Sequence, residues 1–487
     1  MVSIRIAAPA LLLLLAGCVS GPNHTPPEMA LPAKFGEGGK NSAGDVTNVQ
    51  WWTAFNDRML NGYVNTGIGQ NLDIQQALER INAANSNVTV AGAGGLPSLV
   101  VGGSHTVSGQ MGNLRTTVGA TNTTAGDVNV SWLLDLFGQF RRSKESAIYS
   151  LDAAYASADV AKLAFLQDLA SSYIDARFFQ ERIQLSRDNL KSRRETLQLT
   201  QFQLDAGAAS RLDVVQAEGL VYQTLSEIPG LETNFRVAAH HIATLLGLPA
   251  DTLVAELLKG APQPVARINP KSGVPADLIR NRPDIRQAER NLAAAVANIG
   301  VAESQLYPSI SLSGAISPSI VNRAGSPAGG LTSWSFGPTL TLPIFDGGRL
   351  RANVDIANSD ARTQYLAWKA TVLNGIEETE NALSALRRDQ ATVDALRSQV
   401  KSSQEALELS TASYRDGASS LLDVLDAQRN VSDAQASLAQ AVQQQAKDYV
   451  SLMVAIGGGY SPVTPNQVPV PVPYAAPRGA AVMPVKS

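Results

Sequence analysis

The chain has 487 residues, a formal net charge of −3 and one cysteine, Cys18. So even a charge balance carries no basic field for nucleic acid, and a lone cysteine excludes an internal disulfide frame and a thiolate metal site. Beyond residue 18 no run of eighteen apolar residues occurs, so no transmembrane helix is expected and any membrane crossing must be made by a closed β-barrel.

Arg5 precedes a short apolar run from Ile6 to Leu15. This is the charged and apolar start of a secretory signal, too short to span a bilayer. Leu15-Ala16-Gly17-Cys18 resembles the lipobox of bacterial lipoproteins. The resemblance implies a signal peptide over 1–17, cleavage before Cys18, and acyl chains on its thiol and new amino group. Several chains together anchor a protein stably where one is marginal. Val19, rather than Asp, follows the cysteine. By the same resemblance that points to the outer membrane, because Asp there favours inner-membrane retention. Residues 18–50, rich in Pro and Gly, read as an extended tether from the lipid anchor.

The rest of the chain is written twice, with an offset of about 210 residues. Asp73-Ile74-Gln75-Gln76-Ala77 matches Asp284-Ile285-Arg286-Gln287-Ala288, and Pro97-Ser98 matches Pro308-Ser309. Gly207-Ala208 with Leu212-Asp213-Val214 matches Gly417-Ala418 with Leu422-Asp423-Val424, and Gly247 matches Gly457. The first repeat, 51–250, reads as a helix near 71–94, strands 98–110 and 126–136, a long helix 139–205 and a return helix 211–247. Residues 251–274 form an equatorial linker. The second repeat, 275–460, reads as a helix near 281–305, strands 309–318 and 332–344, a long helix 347–415 and a return helix 421–457. The helices rest on Ala, Leu, Gln, Glu and Arg runs nearly free of Gly and Pro. Pro229 is expected to kink or break the first return helix. The Pro-rich tail, 461–487, reads as irregular or polyproline-like.

The strands rest on alternation. Val128, Val130, Trp132 and Leu134 alternate with Asp127, Asn129 and Ser131; Trp334, Phe336 and Leu340 alternate with Ser335, Gly337 and Thr339. One apolar face and one small polar face fit a membrane strand with lipid outside and water inside, and they also fit a half-buried soluble sheet. A helix of about 67 residues rises ~100 Å, longer than an ordinary globular domain is wide. Four strands cannot close a barrel, whose smallest form has about eight, so a membrane reading requires two copies, three or more.

In order and spacing these segments resemble TolC-type outer-membrane efflux channels, in the NodT-like lipoprotein branch that serves resistance-nodulation-division pumps. The residues that carry this are the lipobox, Trp51-Trp52, Arg282-Pro283-Asp284-Ile285, Tyr307-Pro308-Ser309, Leu342-Pro343-Ile344-Phe345-Asp346-Gly347-Gly348, and Tyr414 with Gly417 and the run Leu422 to Gln428. The resemblance implies an α+β membrane protein and a homotrimer. Its twelve-stranded β-barrel would continue as a long α-helical barrel through the periplasm. It also implies a periplasmic adaptor (membrane fusion) protein, an inner-membrane pump and outer-membrane lipid as partners. The expected function is passive exit of small toxic compounds. A duct for type I protein secretion and a lipid-anchored coiled-coil scaffold without a pore remain the alternatives; the scaffold has no need for four strands with one apolar face each.

No catalytic or metal constellation is evident: His24, His105, His240 and His241 are scattered and lack the spacing of a metalloprotease helix. No cofactor is expected. Gly207 and Gly417 suit left-handed helix ends, and Asp213 and Asp423 then fall in the first turn of the next helix, where a carboxylate favours the dipole. Asp423 and Asp426 lie one turn apart on one face. In three copies they would form two stacked carboxylate rings of the kind that bind cations. By the resemblance these aspartates line the periplasmic gate and Tyr414 helps tie it shut. The helix turns, with Ser419 where some relatives carry a basic tether, would meet the adaptor. The first half has Gln216 in place of Asp426, so one half alone supplies the double ring.

Overall fold

The computed structural model describes residues 19–29, 50–110, 120–266, 282–323 and 327–471. The expected signal peptide, Cys18, most of the tether, the end of the linker and the far tail lie outside the described residues. Among these residues seven main helices and four strands follow one another in two like series. The first is α1 (Arg58–Gln70), α2 (Leu72–Ala93), β1 (Ser98–Ser108), β2 (Thr121–Leu134), α3 (Gln139–Asp205) and α4 (Arg211–Leu245). The second is α5 (Pro283–Ser304), β3 (Ser309–Arg323), β4 (Gly329–Thr341), α6 (Arg349–Arg415) and α7 (Leu421–Ala455). Helix α1 is an addition to the expected elements. Asp57 starts it by accepting the Met59 and Leu60 N–H groups at 2.8 and 3.1 Å.

The strands form one antiparallel sheet in the order β1-β2-β3-β4. The register aligns apolar residues across it. Leu99 faces Val130, then Gly314 and Phe336; Val101 faces Val128, then Ile316 and Trp334. Facing residues share a side of the sheet, so this side is apolar in these rows, and beyond Gly103 and Gly126 it continues through His105, Thr124 and Asn122. It is also uncovered: Trp334 is 78 % exposed and Phe336 72 %. The other side carries Ser98, Ser131, Ser313 and Gly337 in one row and Asp127, Ser317 and Ser333 in another.

The strands differ from expectation at their ends. β2 begins at Thr121 and β3 continues to Arg323, because backbone pairing proceeds through Thr, Asn and Ser where apolar alternation has stopped. β4 ends at Thr341, two residues before Pro343, which has no N–H to donate. Within β3, Pro318 opposes Gly126 where the β2–β3 pairing skips two residues, so its missing donor falls at a gap.

Two compact units result. One combines Arg80–Ala154 and Gln287–Lys369 with the N-terminal stretch up to Glu28; the other combines Tyr155–Arg286 and the chain from Ala370 with the stretch up to Glu79. In the first, residues 20–24, at the start of the expected tether, are docked by hydrogen bonds. Buried Arg142 donates from Nε to Ser20 O at 3.0 Å and from Nη2 to Gly21 O and Asn23 Oδ1, both at 2.9 Å. His24 Nε2 lies 2.6 Å from Glu289 Oε1. Gly21 approaches the Gly300 backbone so closely that a Cβ would sit 2.4 Å from Gly300 Cα.

In the second unit, Trp51 is fully buried edge-on to Trp52 and Tyr449. Buried Asp159 accepts the Val463 N–H at 2.8 Å, and Lys162 donates to Ser461 O at 2.9 Å, so the start of the Pro-rich tail is fixed to α3. Arg282 grips Asp284 with two nitrogens at 2.7 and 3.1 Å, Glu378 at 2.7 Å and the terminal carbonyl of α7, Ala455 O, at 2.9 Å. A cation suits that negative helix end.

Helix α4 is not broken at Pro229; it runs unbroken from Arg211 to Leu245. Pro229 stands on an exposed stretch, so the carbonyl it leaves without a donor faces solvent, and Thr233 Oγ1 donates to Pro229 O at 2.9 Å.

Gly417 and Gly457 both end helices with φ +72°, but an added Cβ at Gly417 meets open space while one at Gly457 lies 3.3 Å from Arg282 N and Cα. Gly417→Ala is expected to cost about 1–2 kcal/mol, the left-handed penalty alone. Gly457→Ala should cost more and disturb the Arg282 grip. Denaturant midpoints of the two variants check the ranking.

Candidate functional site

The helix turns at 205–211 and 415–421 are built alike. Gly207 (φ +74°) and Gly417 (φ +72°) take the left-handed position. Ala208 N–H reaches Gln203 O at 2.7 Å and Gly207 N–H reaches Leu204 O at 2.9 Å; Ala418 and Gly417 repeat this onto Ser413 O and Tyr414 O at 2.9 and 3.1 Å. These paired bonds close the helix end without a flexible linker. The next helix starts on a capping box. Asp213 Oδ2 accepts Ser210 N–H at 2.8 Å and Ser210 Oγ–H at 2.7 Å; Asp423 Oδ2 accepts Ser420 N–H at 3.0 Å and Ser420 Oγ–H at 2.9 Å. Both aspartates therefore cap helices, and their bonds use one carboxylate oxygen, Oδ2.

The sequence-derived gate residues divide into two environments. Asp423 and Asp426 are exposed on one face of α7. With Ala427 and Asn430 they line a groove whose other wall is Gln399, Ser402, Ser403, Ala406 and Ser410 of α6. Asp426 is paired with Arg429 at 2.7 Å. Tyr414 is buried among Ala217, Leu220, Leu421, Val424 and Leu425. Its Oη lies 3.5 Å from Thr200 Oγ1, whose own proton goes to Thr196 O at 2.9 Å, so the tyrosine donates. Ser419 is half-buried, and its Oγ has no hydrogen-bond partner among the described residues.

Sequence reasoning missed Thr200, Arg193, Gln428 and Arg429. The signal was present for two of them: Arg193 falls between Leu190 and Leu197, and Gln428 between Leu425 and Val431, both at positions where the helical period calls for an apolar residue.

It also missed a carboxyl pair higher on the same helices. Asp389 of α6 faces Asp448 of α7; burial, then the hydrogen bond and charge of Asp448, push its pKa up to about 7. Gln444 donates to Asp448 Oδ1 at 3.0 Å, and Lys447 turns away to Asp175 at 2.6 Å. The pair holds one proton between two acids. Since the folded chain keeps this proton between pH ~4 and ~7 and the unfolded chain does not, the pair's contribution to stability is full below pH ~4, declines as pH rises from there and is gone above about 7. Denaturant midpoints should fall from pH 6 to pH 8, and Asp389→Asn should flatten that slope and raise the midpoint at pH 8.

Among the described residues no group of three or more His, Cys, Asp or Glu is placed to hold a metal ion. The arrangement offers rigid helix turns, an exposed carboxylate face and an apolar sheet. A sequence profile described as "Outer membrane efflux protein" matches residues 65–248 and 274–458, one match to each half. Nodulation protein T of Rhizobium leguminosarum bv. trifolii is 60 % identical over 460 residues, covering 94 % of this chain and 98 % of the relative. The pyoverdine export outer membrane protein OpmQ of Pseudomonas putida is 30 % identical, covering 91 % of this chain and 95 % of its own length. The solved outer-membrane channel OprN is similar in structure with a TM-score of 0.81 at 31 % identity, covering 91 % of this chain and 99 % of that one. The chain belongs to the outer membrane efflux protein family: it is an internally duplicated efflux channel of the outer membrane.

Proposed function

We propose that three copies of this chain, each anchored by acylated Cys18, close a twelve-stranded barrel. That barrel would form the exit duct of a tripartite efflux system, with no chemistry of its own. The observation that carries this is the four-stranded sheet. Its apolar side is bare, and β1 and β4 each have one neighbour. Unpaired strand edges are not tolerated in lipid, so further copies must supply the missing partners. Strands of 11 to 15 residues are long enough to span the apolar layer when tilted. A homotrimer rests on the resemblance to TolC-type channels, as do a periplasmic adaptor and an inner-membrane pump. The pyoverdine cargo of OpmQ favours small molecules over secreted protein; choice of cargo belongs to the pump.

The gate reading assigns Asp423 and Asp426 to the duct's narrow periplasmic end, with the turns at Gly207, Asp213, Gly417 and Ser419 meeting the adaptor. Capping does not compete with it, because Asp423 Oδ1 is left over after Oδ2 has capped the helix. The Asp423→Ala, Asp426→Ala double variant should lose divalent-cation block in planar bilayers. Block retained alongside a stability loss of about 0.3–1 kcal/mol per charge would leave the aspartates as caps.

The barrel itself is tested on β4. Phe336, near the middle of β4, faces Gly314 on the apolar side and Ser335 faces Ala315 on the polar side. Phe336→Arg should cost about 2–4 kcal/mol per copy at the bilayer midplane and abolish heat-resistant oligomers, while Ser335→Arg should leave them intact. Equal yields would refute the lipid-facing assignment.

A further inference from the structure

Among the described residues the four strands carry one carboxylate, Asp127 of β2. It stands on the polar side of the sheet, half-buried and facing Gly102 of β1. Every other described strand residue on that side is uncharged except Arg323, the last residue of β3. Gly102 gives the carboxylate its seat. A Cβ added at Gly102 would overlap Asp127 Oδ1, so the carboxylate lies across the glycine. Asn129, on the same side of β2, donates from Nδ2 to Asp127 Oδ2 at 2.6 Å.

The fold does not require this charge. The pairing of β2 with β3 breaks between Ala125–Ser319 and Val128–Ile316, yet the carboxylate leans away from that gap, over β1. At the repeat offset of about 210 residues the second half has Gly337. Nor is the charge balanced nearby: Arg323 is separated from Ser317, in the row of Asp127, by ~20 Å of strand. A carboxylate without a counter-charge is kept ionised by water. On this sheet that water is the aqueous space on the polar side.

We propose that Asp127 sets the charge preference of the barrel: three copies place three carboxylates at one height around the lumen, where they favour cations over anions separately from Asp423 and Asp426. This inference rests on the channel reading above. It concerns dissolved ions and charged cargo in passage, and needs no bound ion. Size and salt decide how far the ring reaches. Twelve strands ~4.8 Å apart and tilted ~40° give a barrel of radius ~12 Å. The Debye length is ~30 Å at about 10 mM salt and ~3 Å at about 1 M. In dilute salt the potential of the ring fills the lumen; in concentrated salt it does not reach the axis.

Full-length chain in planar bilayers tests this through the K⁺ to Cl⁻ permeability ratio, read from reversal potentials across a KCl gradient. Asp127→Asn should lower the ratio about threefold or more near 10 mM KCl and leave it unchanged near 1 M. The same loss should appear in the Asp423→Ala, Asp426→Ala background, which lacks the other carboxylates. In that background Asp127→Cys should behave like Asp127→Asn. A water-soluble thiol reagent carrying a sulfonate should then restore the ratio, and one carrying a quaternary ammonium should invert it; the parent treated alike is the control for Cys18. Such reagents change the charge of a pore already folded, so a folding defect does not imitate them. A parental ratio for Asp127→Asn in dilute salt, or an Asp127→Cys variant that neither reagent alters, overturns the proposal and leaves the channel reading standing. A parent that forms no pore overturns both.

Discussion

Backbone hydrogen bonding at the sheet edges is the constraint on which the rest depends. A strand in lipid has no water to satisfy its N–H and C=O groups, so each edge must find another strand. The sheet here has an apolar face suited to lipid and a small polar face suited to an aqueous lumen, but only four strands. It is incomplete as a monomer. Oligomerisation, orientation across the membrane and a continuous path for cargo all follow from the need to complete it.

Duplication supplies the architecture, and departures from it set the two halves apart. The two halves repeat their helix turns nearly bond for bond, with a left-handed glycine and a capping Ser-Asp pair in each. The halves part at positions where one carries chemistry the other lacks. Asp426 stands against Gln216, Tyr414 against Leu204, and Arg193 against Ser403. All three departures lie on the hairpins of the second unit.

Much of the fold was legible because long helices and alternating strands leave strong periods. The long helix expected at 139–205 is α3, and the apolar residues of β2 and β4 fall on one side as their alternation required. Strand ends were less legible, since pairing continues through Thr121, Asn122 and Thr123 on backbone bonds alone. The helix continues through Pro229 because the carbonyl left without a donor is open to solvent, which lowers the cost of the missing bond. The expected tether is described only at its start, where Arg142, more than a hundred residues away, holds the carbonyls of Ser20 and Gly21. Arg193 was passed over because a charged residue on a helix ordinarily faces water. The Asp389–Asp448 pair joins helices that pass each other far from their turn, which no local pattern announces.

Closure of the sheet by three copies is the claim most worth a direct measurement. Ser104 on β1 and Ser333 on β4 lie at opposite edges of the sheet, on its polar side. Cysteines placed there, as Ser104→Cys and Ser333→Cys in one chain, and at neighbouring polar-side positions to cover the unknown register between copies, can be cross-linked in outer membranes. A barrel of three copies gives a cross-linked ladder that ends at the trimer. A ladder that ends at the dimer, or no link between β1 and β4 of different copies at any register, contradicts it.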